Sequence, residues 1–309
     1  MQQKIDAAIY APLEEEYRAL QKKFRPQKSF DGDSFVGYYT NSRDGNLIAV
    51  FHAFEWGNDA AQVAVREFIK ENPCRLFVCA GIAGAITKDA KLGDVFYSKE
   101  IVDLTQRLKV SGSGDKKKSK IEYDPETVSC SSVIQKNLDR SRLTAAGLKS
   151  SFEQWQDACS LINGGKLATF NLSKLKTTLD EAKRPTATNG KIASTNMVLA
   201  DQTAVDDVRK CGRKIACVDT ESAGFAKACK DLEIPHTMVV RGISDFADES
   251  KKITEDEFKN VFRDVAASNV TMFLDIHIDG IIKSANDYET KSAKSNCIRI
   301  EDRIDENEN

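Results

Sequence analysis

A three-layer α/β fold with a mainly parallel central sheet is predicted by two observations. Short apolar runs of strand length alternate with amphipathic helical stretches over most of the chain, and the carboxyl ends of those runs carry turn residues and carboxylates. The length of 309 residues and the 41% hydrophobic content allow a sizeable core.

The elements follow in order. "IDAAIYA" is a short apolar run, a buried strand. Pro12 and three glutamates then open "LEEEYRALQKKF", where Leu13, Tyr17, Leu20 and Phe24 form one helical stripe. "SFVGYYTN" and "NLIAVFHAF" are two strands joined through the Asp-Gly of "NSRDGN", a hairpin signal. "NDAAQVAVREFIKEN" is a helix with Asn58 or Asp59 as the expected cap. "CRLFVCAGIAGA" is a buried strand entering a glycine loop, and "LGDVFYSKEIVD" is another strand.

From about Leu104 to Asn189 the pattern changes. "VSGSGDKKKSK" has the composition of a solvated loop, and polar helical stretches follow it. We expect a helical insertion or lid at 104–189. Alternation returns with "KIAST", "QTAVDDVRKC", "KIACVD", "SAGFAKACKDL" and "HTMVVRG", before a long helical region. One domain is expected over 1–282, followed by a charged, loosely ordered tail at 283–309.

Composition narrows the chemistry. A formal net charge of −2 provides no global attraction for nucleic acid or an anionic membrane, and no apolar run has bilayer-spanning length. The amino terminus lacks a signal-peptide pattern. The eight cysteines form no CxxC pair, as expected of reduced thiols in a cytoplasmic protein. His52, His236 and His277 are too dispersed for a zinc site or a Ser-His-Asp triad. Chemistry therefore falls to carboxylates, hydroxyls and backbone, with no metal or organic cofactor.

Four points lie just past strand ends: Glu14–Glu16, Gly81–Ala85, Asp219–Ser222 and Ile243–Asp245. In a mainly parallel sheet such ends converge on one edge, where small-molecule sites form. Singly, each has a plain structural reading. Glutamates at a helix start favour its dipole, "GIAG" makes a tight turn, Glu221 suits a helix cap and Asp245 a turn. Their shared edge is what joins them.

The wording of these segments resembles the nucleoside phosphorylase/nucleosidase superfamily, in particular its methylthioadenosine/S-adenosylhomocysteine nucleosidase-like branch. "IYAPLEEE", "CAGIAGAITKDAKLGDVFYSKEIV", "KIASTNMV" and "ACVDTESAGFAKACKDLEIPHTMVVRGISDFAD" carry the resemblance in order. It implies a central mixed, mainly parallel twisted sheet and hydrolysis of a purine N-glycosidic bond. Glu16 matches the base that activates water, Glu221 the carboxylate on the ribose hydroxyls, and Asp245 the acid at purine N7. Ser244 orients Asp245. Gly81 and Ile82 fall in the glycine loop, and Thr220 beside Glu221. Val198 falls where the family places an aromatic ring against the base, and the Leu199 backbone where it reads the base edge.

The sequence departs from the family at Ile82, at Thr195 and Asn196, at Asp219 and Thr220, and at the ringless Val198. Lys116, Lys117, Lys118, Arg140 and Arg142 add positive charge to the insertion; the lysine run reads as a solvated loop, and the alternative is that part of the insertion covers a phosphorylated 5′ end. The expected activity is release of adenine from an adenine nucleotide or nucleoside by a homo-oligomer, in the manner of ATP- or AMP-depleting antiviral effectors. Alternatives are a methylthioadenosine-type nucleosidase, a phosphorylase of salvage, and a non-catalytic nucleotide-sensing module.

Overall fold

The first strand, β1 (Ala7–Tyr10), is buried at every position, as expected of a strand covered on both faces. Its side chains divide by parity. Ala8 and Tyr10 join one apolar core, Ala7 and Ile9 the other. The computed structural model that shows this describes residues 4–105, 108–111, 120–143, 148–175 and 177–305.

Helix α1 (Glu14–Lys23) follows β1. Strands β2 (Lys28–Asp31), β3 (Phe35–Asn41) and β4 (Leu47–Ala53) form an antiparallel meander, with β3 and β4 pairing as the Asp-Gly hairpin predicts. β4 and β5 (Leu76–Ala85) flank β1 in parallel, with α2 (Asn58–Glu71) between them in sequence. Then come β6 (Val95–Asp103), the strand pair β7 (Leu108–Ser111) and β8 (Lys120–Tyr123), and the edge strand β9 (Glu126–Ser129). Helices α3 (Ser132–Ser141), α4 (Ser151–Leu167) and α5 (Leu179–Lys183) lead to β10 (Ala187–Ser194). The chain ends with α6 (Gln202–Lys210), β11 (Ile215–Asp219), α7 (Ser222–Asp231), β12 (His236–Asp245), α8 (Lys251–Asp256) and α9 (Val261–Asp305).

The main sheet runs β11-β10-β6-β12-β5-β1-β4-β3-β2, with β9 beside β6. It is mixed. Parallel pairings hold its middle, but β6 pairs antiparallel with β12, and the end of β5 pairs antiparallel with β11. Ala85 sits opposite Cys217 and Gly84 opposite Val218, closing β5, β12, β6, β10 and β11 into a ring. The carboxyl ends of β5, β11 and β12 thereby meet.

Two layers of helix cover the sheet. Phe68 of α2 and Phe225 of α7 pack on one face; Leu20 of α1, Trp155 of α4 and Phe273 of α9 pack on the other. The stretch Val261–Thr290 of α9 is long and apolar enough to cross a membrane, contrary to the sequence reading, but 72% of its most apolar window is buried in the fold. Its apolar side chains are core. The helix also runs through Lys283, where a loose tail was expected, as far as Asp305.

The insertion holds strands β7, β8 and β9 as well as helices. A Ser150–Glu153 capping box starts α4, and the Trp155 indole donates to the Asn269 carbonyl of α9 at 3.0 Å. Arg142 lies 4.3 Å from the Phe152 ring centroid and donates to Tyr97, which gives it a packing role. Lys116, Lys117 and Lys118 lie outside the described residues.

Candidate active site

β1, β4 and β5 run parallel, so the segments following Tyr10, Ala53 and Ala85 emerge at one edge of the sheet. Asp245 ends β12, parallel to β5, at the same edge, and the antiparallel closure of β11 on the end of β5 brings Asp219 to it. Between them lies a cavity of about 410 Å³, the size of a small-ligand site. Of the residues predicted from sequence, Ile82, Val198, Leu199, Thr220, Glu221, Ser244 and Asp245 line it. Glu16 and Gly81 stand one layer behind, next to lining residues.

Glu16 is buried in the first turn of α1. Its Oε2 accepts from the Leu13 backbone N–H at 2.8 Å, and its Oε1 from the Ile82 N–H at 2.7 Å. Leu13 and Ile82 both line the cavity. Burial pushes the Glu16 carboxyl up to about 8; Arg241 opposes this shift and Glu221 adds to it. The groups meet over Gly81. A Cβ there would lie 2.1 Å from Arg241 Nη1 and 2.4 Å from Glu16 Oε1, so glycine is required by close approach.

Arg241 is fully buried. It donates from Nε to Asp219 at 2.6 Å and from Nη2 to Ser222 at 3.1 Å, and Nη2 lies 3.7 Å from Glu221. Burial alone would weaken its hold on the proton, but Asp219, Cys79, Glu16 and Glu221 outweigh that effect and keep it cationic. Asp219 also accepts from the Ser222 N–H at 3.1 Å, fixing the start of α7. One guanidinium therefore faces three carboxyls. The closest pair, Arg241 and Asp219, balances itself, and burial raises the Glu221 pKa despite Arg241. Glu221 receives a hydrogen bond from Thr220. The sequence reading gave Asp219 no role beyond a departure from the family; the structure makes it the counter-ion of Arg241.

Asp245 is held at both oxygens. Oδ1 accepts from the Ala247 N–H at 2.9 Å, and Oδ2 lies 2.9 Å from Ser244 Oγ and 3.6 Å from Lys251 Nζ. Ser244 Oγ also lies 3.3 Å from the Ala83 carbonyl oxygen. Its single proton serves one acceptor at a time. Turned to Ala83, the hydroxyl accepts from a protonated Asp245; turned back, it donates to the carboxylate. Asp248, on the turn beyond, bonds to Ser250, consistent with turn chemistry.

Sequence reasoning missed Trp56, Lys251, Glu255 and Arg263, all on the cavity wall. Trp56 follows the end of β4, so the strand-end rule applied to a fifth strand finds it. The others come from α8 and α9, and no motif marks them. Asn58 was expected as a helix cap. Gly57 occupies that position, and the Asn58 carboxamide instead joins Thr195, Asn196, Ser194 and Gly224. Among the described residues, no cluster of His, Cys, Asp and Glu suits a metal.

The family model for the phosphorylase superfamily matches residues 6–278. The chain belongs to the phosphorylase superfamily. Solved structures with the same fold include the 5′-methylthioadenosine/S-adenosylhomocysteine nucleosidase of Neisseria meningitidis in complex with methylthio-immucillin-A. It is 20% identical at a TM-score of 0.63, over 90% of this chain and 98% of that one. Futalosine hydrolase of Helicobacter pylori strain 26695 is 16% identical at a TM-score of 0.61, over 88% and 97%. Among curated proteins, ATP nucleosidase Cap17 of Escherichia coli (strain KTE188) is 23% identical over 247 residues, 80% of this chain. The present superfamily member spans 45% of that relative's length.

Proposed function

We propose that the protein is a purine N-ribosyl hydrolase that releases adenine from an adenine nucleotide or nucleoside. The observation that carries this reading is that Glu221 and Asp245 line one cavity while Glu16 stands directly behind its wall, bonded to the N–H of the lining residue Ile82, with a buried arginine beside the two glutamates. In the reaction, a water oxygen bonds to C1′ of the ribose as the C1′–N9 bond breaks. The electron pair of that bond leaves with the purine, whose N7 takes a proton from Asp245. Glu16 accepts the proton of the water, and Arg241 Nη1, which has no hydrogen-bond partner among the described residues, lies beside that carboxyl to help hold the water. Glu221 accepts from the ribose hydroxyls. A high proton affinity makes Glu16 an effective base once ionised, and two carboxyls in unlike environments supply the acid and base roles. The sugar passes through an oxocarbenium-like state, as in O-glycoside hydrolysis.

Lys251 and Arg263 are two cations on the cavity wall, now facing Asp245 and Glu15, that a substrate phosphate would compete to bind; on this we propose a phosphorylated substrate over a methylthio one. The likeness to an ATP nucleosidase supports the same choice. Destroying ATP is of use to a cell only when its metabolism must stop, so we extend the proposal to a cytoplasmic antiviral effector, homo-oligomeric and held in check by a partner. None of the described residues of 104–189 lines the cavity. The test is chromatography of ATP, AMP, adenosine and methylthioadenosine incubated with the protein, with and without phosphate. Adenine from ATP or AMP without phosphate is expected. Release only with phosphate would establish phosphorolysis instead, and no base from any substrate would leave a binding module.

A further inference from the structure

We infer that Trp56 is the aromatic wall of the purine pocket, supplying from the β4–α2 loop the ring that Val198 lacks; the inference rests on the purine-hydrolase reading above. Trp56 and Val198 both line the cavity, and they are 65% and 60% exposed. An indole that open to water on a cavity wall is placed to cover a flat ligand.

The two loops form one rim because Asn58 joins them. Its Nδ2 donates to the Thr195 carbonyl at 3.0 Å and to Asn196 Oδ1 at 3.1 Å. Its Oδ1 accepts from Ser194 Oγ at 3.1 Å and from the Gly224 N–H at 2.9 Å. The carboxamide is buried, and these bonds link the start of α2 to β10 and α7. Contact there is tight: a Cβ on Gly224 would lie 1.8 Å from the Asn58 carbonyl oxygen. Gly57, at φ +98°, turns the chain between this anchor and Trp56. The backbone beside the indole is thus tied to the loop that leads into Met197, Val198 and Leu199, while its ring stays uncovered on the cavity wall they share.

Stacking on an indole is tolerant of base identity, since every base has a π face. Trp56 would therefore contribute affinity for the purine ring, and discrimination would stay with Asp245 and the Leu199 backbone. The ligand class is a nucleoside or nucleotide with an exposed aromatic base.

The experiment is a binding titration on the catalytically slowed Glu16→Gln protein, read by tryptophan fluorescence and by calorimetry, with adenosine and ATP. The chain has two tryptophans. Trp155 is fully buried, so the ligand-dependent signal belongs to Trp56 and disappears in Trp56→Ala. Trp56→Ala should weaken binding of both ligands by about tenfold or more. Trp56→Phe should retain most of the affinity. Phe54→Ala, at an exposed ring off the cavity wall, should match the parent. Equal affinity of Trp56→Ala and the parent overturns the inference and leaves the hydrolase reading standing. So does unchanged affinity accompanied by loss of self-association, which would make Trp56 a subunit contact. Failure of the parent to bind either ligand overturns both.

Discussion

Glu16→Gln removes a carboxyl that the fold holds protonated well above its ordinary range. Glutamine copies the shape and neutrality of the protonated form, so the variant isolates the cost of the charge. The Glu16 pKa is about 8 in the folded chain against an ordinary 4.5, and burial is the largest cause. Between those values the folded chain binds more protons than the unfolded one. Stability is therefore fully present below about pH 4.5 and is lost as pH rises through about 8. At about 1.36 kcal/mol per unit, the whole window is worth at most about 5 kcal/mol. The amide gives up one of the two backbone hydrogen bonds accepted by Glu16, costing about 1 kcal/mol. The variant should thus be slightly less stable than wild type near pH 5 and clearly more stable near pH 9. Urea midpoints for both proteins across that range, at matched slopes, provide the measurement. Two midpoint curves that stay parallel from acid to alkaline pH would refute the assigned desolvation of Glu16.

Two further perturbations address the neighbouring groups. Gly81→Ala forces a methyl between Arg241 Nη1 and Glu16 Oε1, both under 3 Å from its position, and should cost roughly 1–3 kcal/mol of stability together with most activity. A variant with wild-type thermal stability would show that the approach is looser than described. Glu221→Gln removes a charged acceptor from the ribose hydroxyls while keeping its size. It should lower kcat/KM for adenosine about 10- to 150-fold, with a smaller effect on 2′,3′-dideoxyadenosine; equal losses on both substrates would separate Glu221 from the diol.

Much of the fold was legible because burial on both faces writes itself into sequence as apolar runs, seen at β1, β5, β11 and β12. The nearness of Asp245 to the Gly81–Ala85 loop was legible because β5 and β12 run parallel and share an edge, whereas Glu221 follows β11, which runs antiparallel to β5. Ring closure by Gly84 and Ala85 against Val218 and Cys217 was not legible, since antiparallel contact between distant strand ends leaves no local pattern. Asp219 reads as a departure from a motif and proves to be a buried counter-ion, because its role depends on Arg241, twenty-two positions away and joined by tertiary contact. Arg263 was missed for the same reason, since its place on the cavity wall comes from the packing of a helix, whereas Trp56, just past the end of β4, obeys the strand-end rule. The long apolar helix was misread at its end, since a core helix continuing as a charged one has no break at Lys283.

The central claim is that Asp245 protonates a purine leaving group. Free adenine released from ATP and from adenosine should be measured for wild type and Asp245→Asn side by side, with the fold checked by circular dichroism. The account predicts adenine from the wild-type protein and a loss of roughly 10²- to 10⁴-fold in the variant with its spectrum unchanged. A folded Asp245→Asn protein releasing adenine at the wild-type rate would contradict it.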